Sequence, residues 1–295
     1  MTRANMGKMI LATLILVTAL KLMEFFDTTY ISTEKMEEIQ QLVDESSVGK
    51  IQVNWKDVTA IASVEYTLDT VTTEELVKTT SLFMEKKGER YRLKEMAEVT
   101  EALAYDEKQV KEVKAFRKYL NEGGIFSKME RGDSVQRSFI SSLKGEAIEN
   151  YKIYGILPSI TIAQAILESG WGKSELSRKY NNLFGIKSYN WDGESAHIRT
   201  SEFHDEHVQA DFRVYETVSD SLRDHSVFLT ENPRYERHGL FAAKTYMEQA
   251  AALQEAGYST KENEAGEKIY SELLMELIRQ YQLQLIDSEA HLEYG

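Results

Sequence analysis

The 295-residue chain contains no cysteine. Disulfides, cysteine-ligated zinc and a thiol nucleophile are therefore excluded, and the redox state of its compartment leaves no mark on it. Positive charge is also scarce: 35 Lys and Arg stand against 48 Asp and Glu, a net charge of −13. The deficit is uneven, with 21 basic and 25 acidic side chains in residues 1–150 but 14 and 23 in residues 151–295. A C-terminal half this acidic repels nucleic-acid phosphates and anionic lipid surfaces, so no nucleic-acid partner is expected. There is no internal repeat, no low-complexity tract and no evident Ser-His-Asp arrangement. His204-Asp-Glu-His207 sets two imidazoles three residues apart, but on a hairpin turn, where they have no fixed convergence. No metal or cofactor is expected.

What is present divides into three parts. Arg3 and Lys8 precede a twelve-residue apolar run, Met9 to Leu20, the pattern of a secretory leader. Carried across Lys21 and Glu24 to Phe26 it reaches 18 residues, against the roughly 20 that a spanning helix needs. Val17-Thr-Ala19 is an acceptable rather than a strong cleavage signal, so residues 1–30 are read as a signal anchor, or a signal peptide if cleaved. The chain is then exported, either membrane-anchored with the rest of it outside the cell, or secreted. Residues 31–133 are read as a helical domain and linker, with helices over 55–66, 73–87, 93–105 and 106–121 and a break at Gly123-Gly124. Residues 134–289 form the C-terminal domain.

Within that domain, Pro158 is placed to open a helix that is apolar almost all round, through Ile160, Ile162, Ala163, Ala165, Ile166 and Leu167. Gly170 and Gly172 stop it, so Glu168 falls in the last turn, where burial and the carbonyl end of the helix dipole both favour the protonated acid. A carboxyl group kept protonated near neutral pH suits a general acid, and glycoside hydrolysis commonly uses one beside a second carboxylate. Further on, Ala196, Ile198 and Thr200, then Val208, Ala210, Phe212 and Val214, alternate with polar residues as two strands of a hairpin. Glu202 shares a face with Ile198 and Thr200. Helices follow over 218–229, 240–256 and 262–283, with Ser259 and Glu262 as a capping box that leaves Tyr258 in a joint.

AILESGWG (165–172 with Glu168 inside it), Asn181-Asn-Leu-Phe-Gly-Ile-Lys187, Thr200-Ser-Glu202, Phe212-Arg-Val-Tyr215, Asp224-His225, Asn232-Pro-Arg-Tyr235 and Ala256-Gly-Tyr258-Ser-Thr260 occur in that order. Together they resemble the glucosaminidase domain of glycoside hydrolase family 73, over residues about 140–287. The resemblance implies a mainly α (α+β) fold, a lysozyme-like catalytic domain with a small β-hairpin lobe. It implies hydrolysis of the β-1,4 bond after N-acetylglucosamine in peptidoglycan, with Glu168 as general acid, Glu202 as second carboxylate and Tyr258 as the tyrosine near the reacting sugar. Ser188, where a glycine is usual, and Lys261-Glu-Asn-Glu264, where an Asp-Pro pair is common, depart from the pattern.

Ser169, Trp171, Asn182, Phe184 and Tyr235 are the candidate substrate-binding residues. Trp191, Tyr189 and Tyr215 are further aromatic faces for a sugar, although most such rings belong to a core. Asn181 and Asn182 either bond acetamido groups or end the preceding helix. His225, at helical spacing from Leu222, Phe228 and Leu229, reads as a packed histidine. The expected partner is the peptidoglycan glycan strand. The alternatives are a lytic transglycosylase or muramidase using Glu168 alone, and an inactive wall-binding protein.

Overall fold

The computed structural model describes residues 31–122, 134–202 and 206–295, without the side chains of 199–209. The leader, the expected linker at 123–133 and the His204 cluster lie outside the described residues. Among the described residues no helix is long and apolar enough to cross a membrane, and no cluster of three or more His, Asp or Glu is arranged to hold a metal.

Two apolar cores organise the chain. The first gathers Met36, Ile39, Val43, Trp55, Ile61, Leu76, Phe83 and Phe116. Its elements are α1 (Thr33–Ser47), α2 (Trp55–Glu65), a 3-10 turn (Leu68–Thr70), α3 (Thr73–Leu82), β1 (Met84–Lys87), β2 (Arg90–Leu93), α4 (Met96–Ala102) and α5 (Glu107–Glu122). Two features differ from the sequence expectation. Residues 33–47 form a full helix capped by Ser32, whose side chain accepts from the Lys35 N–H. The helix expected over 73–87 ends at Leu82, and a short antiparallel hairpin follows, with Lys87 opposite Arg90 and Gly88 at φ +63 in the turn. The cause is local: Lys86-Lys87-Gly88-Glu89 offers no apolar face for a fourth helical turn, and Gly88 accepts a left-handed turn without steric cost.

The second core contains Leu143, Ala147, Leu157, Ile160, Ile162, Ala163, Leu222, Tyr235, Tyr246, Tyr270 and Leu274. It is built from α6 (Ser134–Tyr154), α7 (Pro158–Ser169), α8 (Glu175–Tyr180), the hairpin β3 (Ser195–Glu202) and β4 (Glu206–Arg213), α9 (Val218–Glu231), α10 (Pro233–Arg237), α11 (Tyr246–Glu255), α12 (Tyr270–Gln280) and α13 (Gln284–Tyr294). α7 packs against α6, α11, α12 and α13, which is why its apolar residues run all round it. Here too an expectation is corrected. Residues 262–269 are not helical: Glu262 bridges to Lys268, and the Asn263 side chain accepts from the N–H groups of Ala265 and Glu267. Ser259 accepts from the Lys261 N–H and makes no capping box. The helix expected from 240 begins at Tyr246, capped by Thr245.

The cores meet through a buried polar junction. Asp44 of α1 accepts from Tyr246 Oη at 2.9 Å and from Gln52 Nε2 at 2.7 Å. Gln282 accepts from Trp55 Nε1 and donates to Gln40. Beside this cluster, Asp287 of α13 receives the Ser159 N–H at 2.8 Å and the Ser159 hydroxyl at 2.5 Å, tying α13 to the first turn of α7. Burial pushes the Asp44 carboxyl up to about 7 and that of Asp287 up to about 8. Both are satisfied by hydrogen bonds, the condition under which buried polar groups are tolerated.

Raised acids bind a proton more tightly in the folded than in the unfolded chain. Their contribution to stability is therefore complete below the unfolded value near 4 and declines as pH rises toward the folded value. Asp287→Asn keeps a proton donor in place permanently. Its thermal midpoint should vary less than that of the parent between pH 4 and 8, and should lie above it at pH 8, by roughly 2–4 °C for each kcal/mol relieved. Melting curves across that range check this; parallel pH profiles would remove Asp287 as the titrating group.

Candidate active site

α7 ends where Gly170 takes a left-handed conformation, φ +56, and its N–H closes back on the Ile166 carbonyl. Ten of its twelve residues are buried. Glu168 is half-buried and lines a cleft of about 590 Å³, together with Phe184, Lys187, Tyr189, Arg213, Glu231, Arg234, Tyr235 and Tyr258. Its Oε1 accepts from the Tyr270 hydroxyl at 2.9 Å. Burial raises the Glu168 carboxyl above its ordinary value, while the Tyr270 hydrogen bond and the charge of Lys261 pull the other way. Burial prevails, so the net shift is upward.

Behind Glu168 stands an aromatic stack. Tyr270 lies near-parallel to Tyr258, ring centroids 5.3 Å apart, and Tyr235 lies 6.3 Å from Tyr258. The Tyr258 hydroxyl meets His225 Nε2 at 3.1 Å, and the His225 ring stacks on Phe184 at 3.8 Å. Burial lowers His225 to about 3, so it is a neutral, packed imidazole. Phenol ionisation is equally disfavoured: burial raises Tyr258 and Tyr270 well above the usual range, and the nearby Glu168 carboxylate adds to this. The stack is a neutral wall that offers hydroxyl hydrogen bonds.

The structure places Glu168, Phe184, Tyr235 and Tyr258 on one cleft. Three other candidates sit elsewhere. Ser169 is fully buried, donates to the Ala165 carbonyl and accepts from the Gly172 N–H, so it finishes the helix end. Trp171 packs edge-on against Phe139 and Tyr281, beside a second pocket. Asn182 is buried, with Nδ2 donating to the Ile186 and Arg213 carbonyls and Oδ1 accepting from the Ile186 N–H. Its whole polar capacity in the fold goes to anchoring the hairpin base. Asn181 is the left-handed cap of α8 and donates to the Tyr215 and Glu216 carbonyls. Short polar side chains beside a helix end find backbone partners before they find ligands.

Glu202 ends β3, with Glu206 as its register partner across the turn; its side chain lies outside the described residues. The hairpin base is fixed from several sides. Ser188 N–H donates to the Asp211 carbonyl and Arg213 N–H to that of Ile186. The Arg213 guanidinium binds both oxygens of Asp224 at 2.8 Å and lies over the Trp191 ring, and Tyr215 donates to Asp224. The Phe212-Arg-Val-Tyr215 and Asp224 motifs are thereby accounted for as the seating of the hairpin on α9.

Tyr270 is the residue that sequence reasoning missed. It fell inside an expected helix at a core-facing position, and nothing in its neighbours marked it as the partner of an acid 102 residues away.

The glucosaminidase family model, described as mannosyl-glycoprotein endo-beta-N-acetylglucosaminidase, matches residues 144–283. Exo-glucosaminidase LytG of Bacillus subtilis is 38% identical over 158 residues, covering 52% of this chain and 54% of that protein. Peptidoglycan hydrolase FlgJ of Vibrio parahaemolyticus is 37% identical over 146 residues, 46% of this chain and 47% of that one. The chain thus spans about half the length of the curated relatives it matches. Among solved structures, the catalytic domain of the autolysin Auto from Listeria monocytogenes is 30% identical, with 62% of this chain and 98% of that one covered and a TM-score of 0.46. The segment that matches the glucosaminidase family model, residues 144–283, lies within the elements that build the second core.

Tyr270→Phe removes a donor that stabilises the ionised form of Glu168. The Glu168 carboxyl should then titrate at higher pH than in the parent, as followed by carbon-detected NMR of the labelled carboxylate. A titration that stays put or moves down would separate the two residues.

Proposed function

We propose that the C-terminal domain hydrolyses the β-1,4 bond after N-acetylglucosamine in peptidoglycan, with Glu168 protonating the glycosidic oxygen. The observation that carries this reading is a carboxyl group on a rigid apolar helix, open to a cleft and held toward its acid form by burial. The match of residues 144–283 to the glucosaminidase family model supports the bond class. Glu202, at the end of a hairpin strand, serves as base or charge stabiliser, and Tyr258 presents a hydroxyl and a ring near the reacting sugar. Phe184 and Tyr235 complete the wall. Export, with residues 1–30 as anchor or cleaved leader, belongs to the same proposal; its support is the Arg3 and Lys8 start before an apolar run.

Digestion of purified peptidoglycan tests this directly. New N-acetylglucosamine reducing ends support it; muramic or anhydromuramic ends indicate a muramidase or transglycosylase, and no release an inactive binder. Glu168→Gln should lower kcat by about 10²–10⁴-fold while leaving the melting profile intact; undiminished cleavage would overturn the assignment. Glu202→Gln should cost less, because leaving-group protonation survives. The general acid must be protonated, so kcat/KM should fall as pH rises through the raised value of Glu168, above the ordinary glutamate value of about 4.3.

A further inference from the structure

The catalytic half is strongly acidic, yet its cleft is lined by three cations, Lys187, Arg213 and Arg234, and two acids, Glu168 and Glu231. With Glu168 protonated the lining is positive. Arg213 is neutralised by Asp224. Arg234 is different. It sits in α10 directly after Pro233, its guanidinium 4.8 Å over the Tyr235 ring, with Nη2 donating to the Tyr235 hydroxyl at 2.8 Å. Among the described residues that neutral phenol is the side chain's sole hydrogen-bond partner: Nε is buried without an acceptor, and no carboxylate pairs with the guanidinium. The positive charge is near enough to Tyr235 and Tyr258 to ease the ionisation of both.

A guanidinium stacked flat on a ring has little rotamer freedom left to lose, and its planar fork is matched to a carboxylate. Holding it half-desolvated with no paired carboxylate among the described residues is costly unless a ligand brings one. We propose that Arg234 is a specificity-determining residue that binds a carboxylate carried on the muramoyl side chain of the substrate, and so favours peptidoglycan strands over uncharged β-1,4 N-acetylglucosamine polymers. Two sources share that chemistry: the lactyl carboxylate of a sugar stripped of its peptide, and an acidic residue of an attached peptide. The inference rests on the proposed glycan hydrolysis.

The test compares full-length protein and its Arg234→Gln and Arg234→Lys variants on soluble strands with peptide, on strands stripped of peptide, and on both after conversion of their carboxylates to primary amides. Wild type should show a lower KM on the native than on the amidated form of at least one strand. Arg234→Gln should shrink that preference at least about tenfold, equal to about 1.4 kcal/mol of lost discrimination, chiefly through KM. Arg234→Lys should recover part of it, since charge remains and the fork does not, and it decides the matter if the glutamine variant does not fold. The strand type that responds identifies the carboxylate source. A wild-type enzyme indifferent to amidation, or variants that lose activity equally on native and amidated strands, would overturn the proposal. Cleavage surviving in Glu168→Gln sinks instead the hydrolytic reading on which it stands.

Discussion

The interaction on which the site depends is the hydrogen bond from the Tyr270 hydroxyl to a half-buried Glu168. Without it the carboxyl would be a desolvated acid with little reason to ionise and no fixed orientation. With it, one oxygen is held by a phenol and the other remains for the cleft. Two effects oppose each other at Glu168, burial raising the carboxyl and the phenol lowering it, and burial is the larger. Tyr270 is itself held, accepting from Gln164 Nε2 at 3.1 Å, one turn before Glu168 on α7. Acid, phenol and amide thus form a closed triangle between α7 and α12.

Helix α12 carries that triangle at its N-terminal end and the junction with the first core at its other end. Arg279, in its last turn, donates to the Tyr246 hydroxyl at 3.0 Å, which donates in turn to Asp44 of α1. Gln282, just beyond, reaches Trp55 and Gln40. Two of the helices that converge on the site, α7 and α12, are therefore braced by buried polar contacts. For α12 the brace comes from the N-terminal unit; for α7 it comes from α13, through Asp287 and Ser159. Buried networks of this kind contribute specificity of arrangement more dependably than raw stability.

What the sequence made legible follows from how local each signal is. Pro158, the unbroken apolar run and Gly170 specify α7 within twelve residues, and the alternation around 196–214 specifies the hairpin. The β1–β2 hairpin was hidden because its residues are mostly charged and partly exposed, and the alternation of Arg90-Tyr-Arg-Leu93 runs for only four residues with no match in Met84-Glu-Lys-Lys87. The apolar face of α12 suggested a helix from 262 because its spacing, read backward, passed over Asn263 and Gly266, where a turn closes instead. Ser169 and Asn182 look in sequence like groups free to bind a sugar. Their partners are backbone groups, some of them distant, and no residue pattern announces which a short polar side chain will choose. The positions of Glu168, Phe184, Tyr235 and Tyr258 on one cleft were legible through the family motifs; the pairing of Tyr270 with Glu168 was not, because it spans 102 residues of chain.

The proposed division of labour between the two glutamates follows from where each one stands. Glu168 stands on a helix packed on several sides by others, whereas Glu202 ends a two-stranded ribbon whose seating contacts lie at its base, through Asn182, Arg213 and Asp224. The influences on the Glu168 carboxyl are burial, Tyr270 and Lys261, and neither of those residues belongs to the hairpin. Among the described residues, the upward shift of Glu168 comes from its burial in the core. In the proposed reaction the helix presents the acid, and the ribbon is left to adjust the spacing of the second carboxylate to the strand that enters. A two-stranded element is well suited to that task, since it is marginally stable on its own and is held in register here by the helices at its foot.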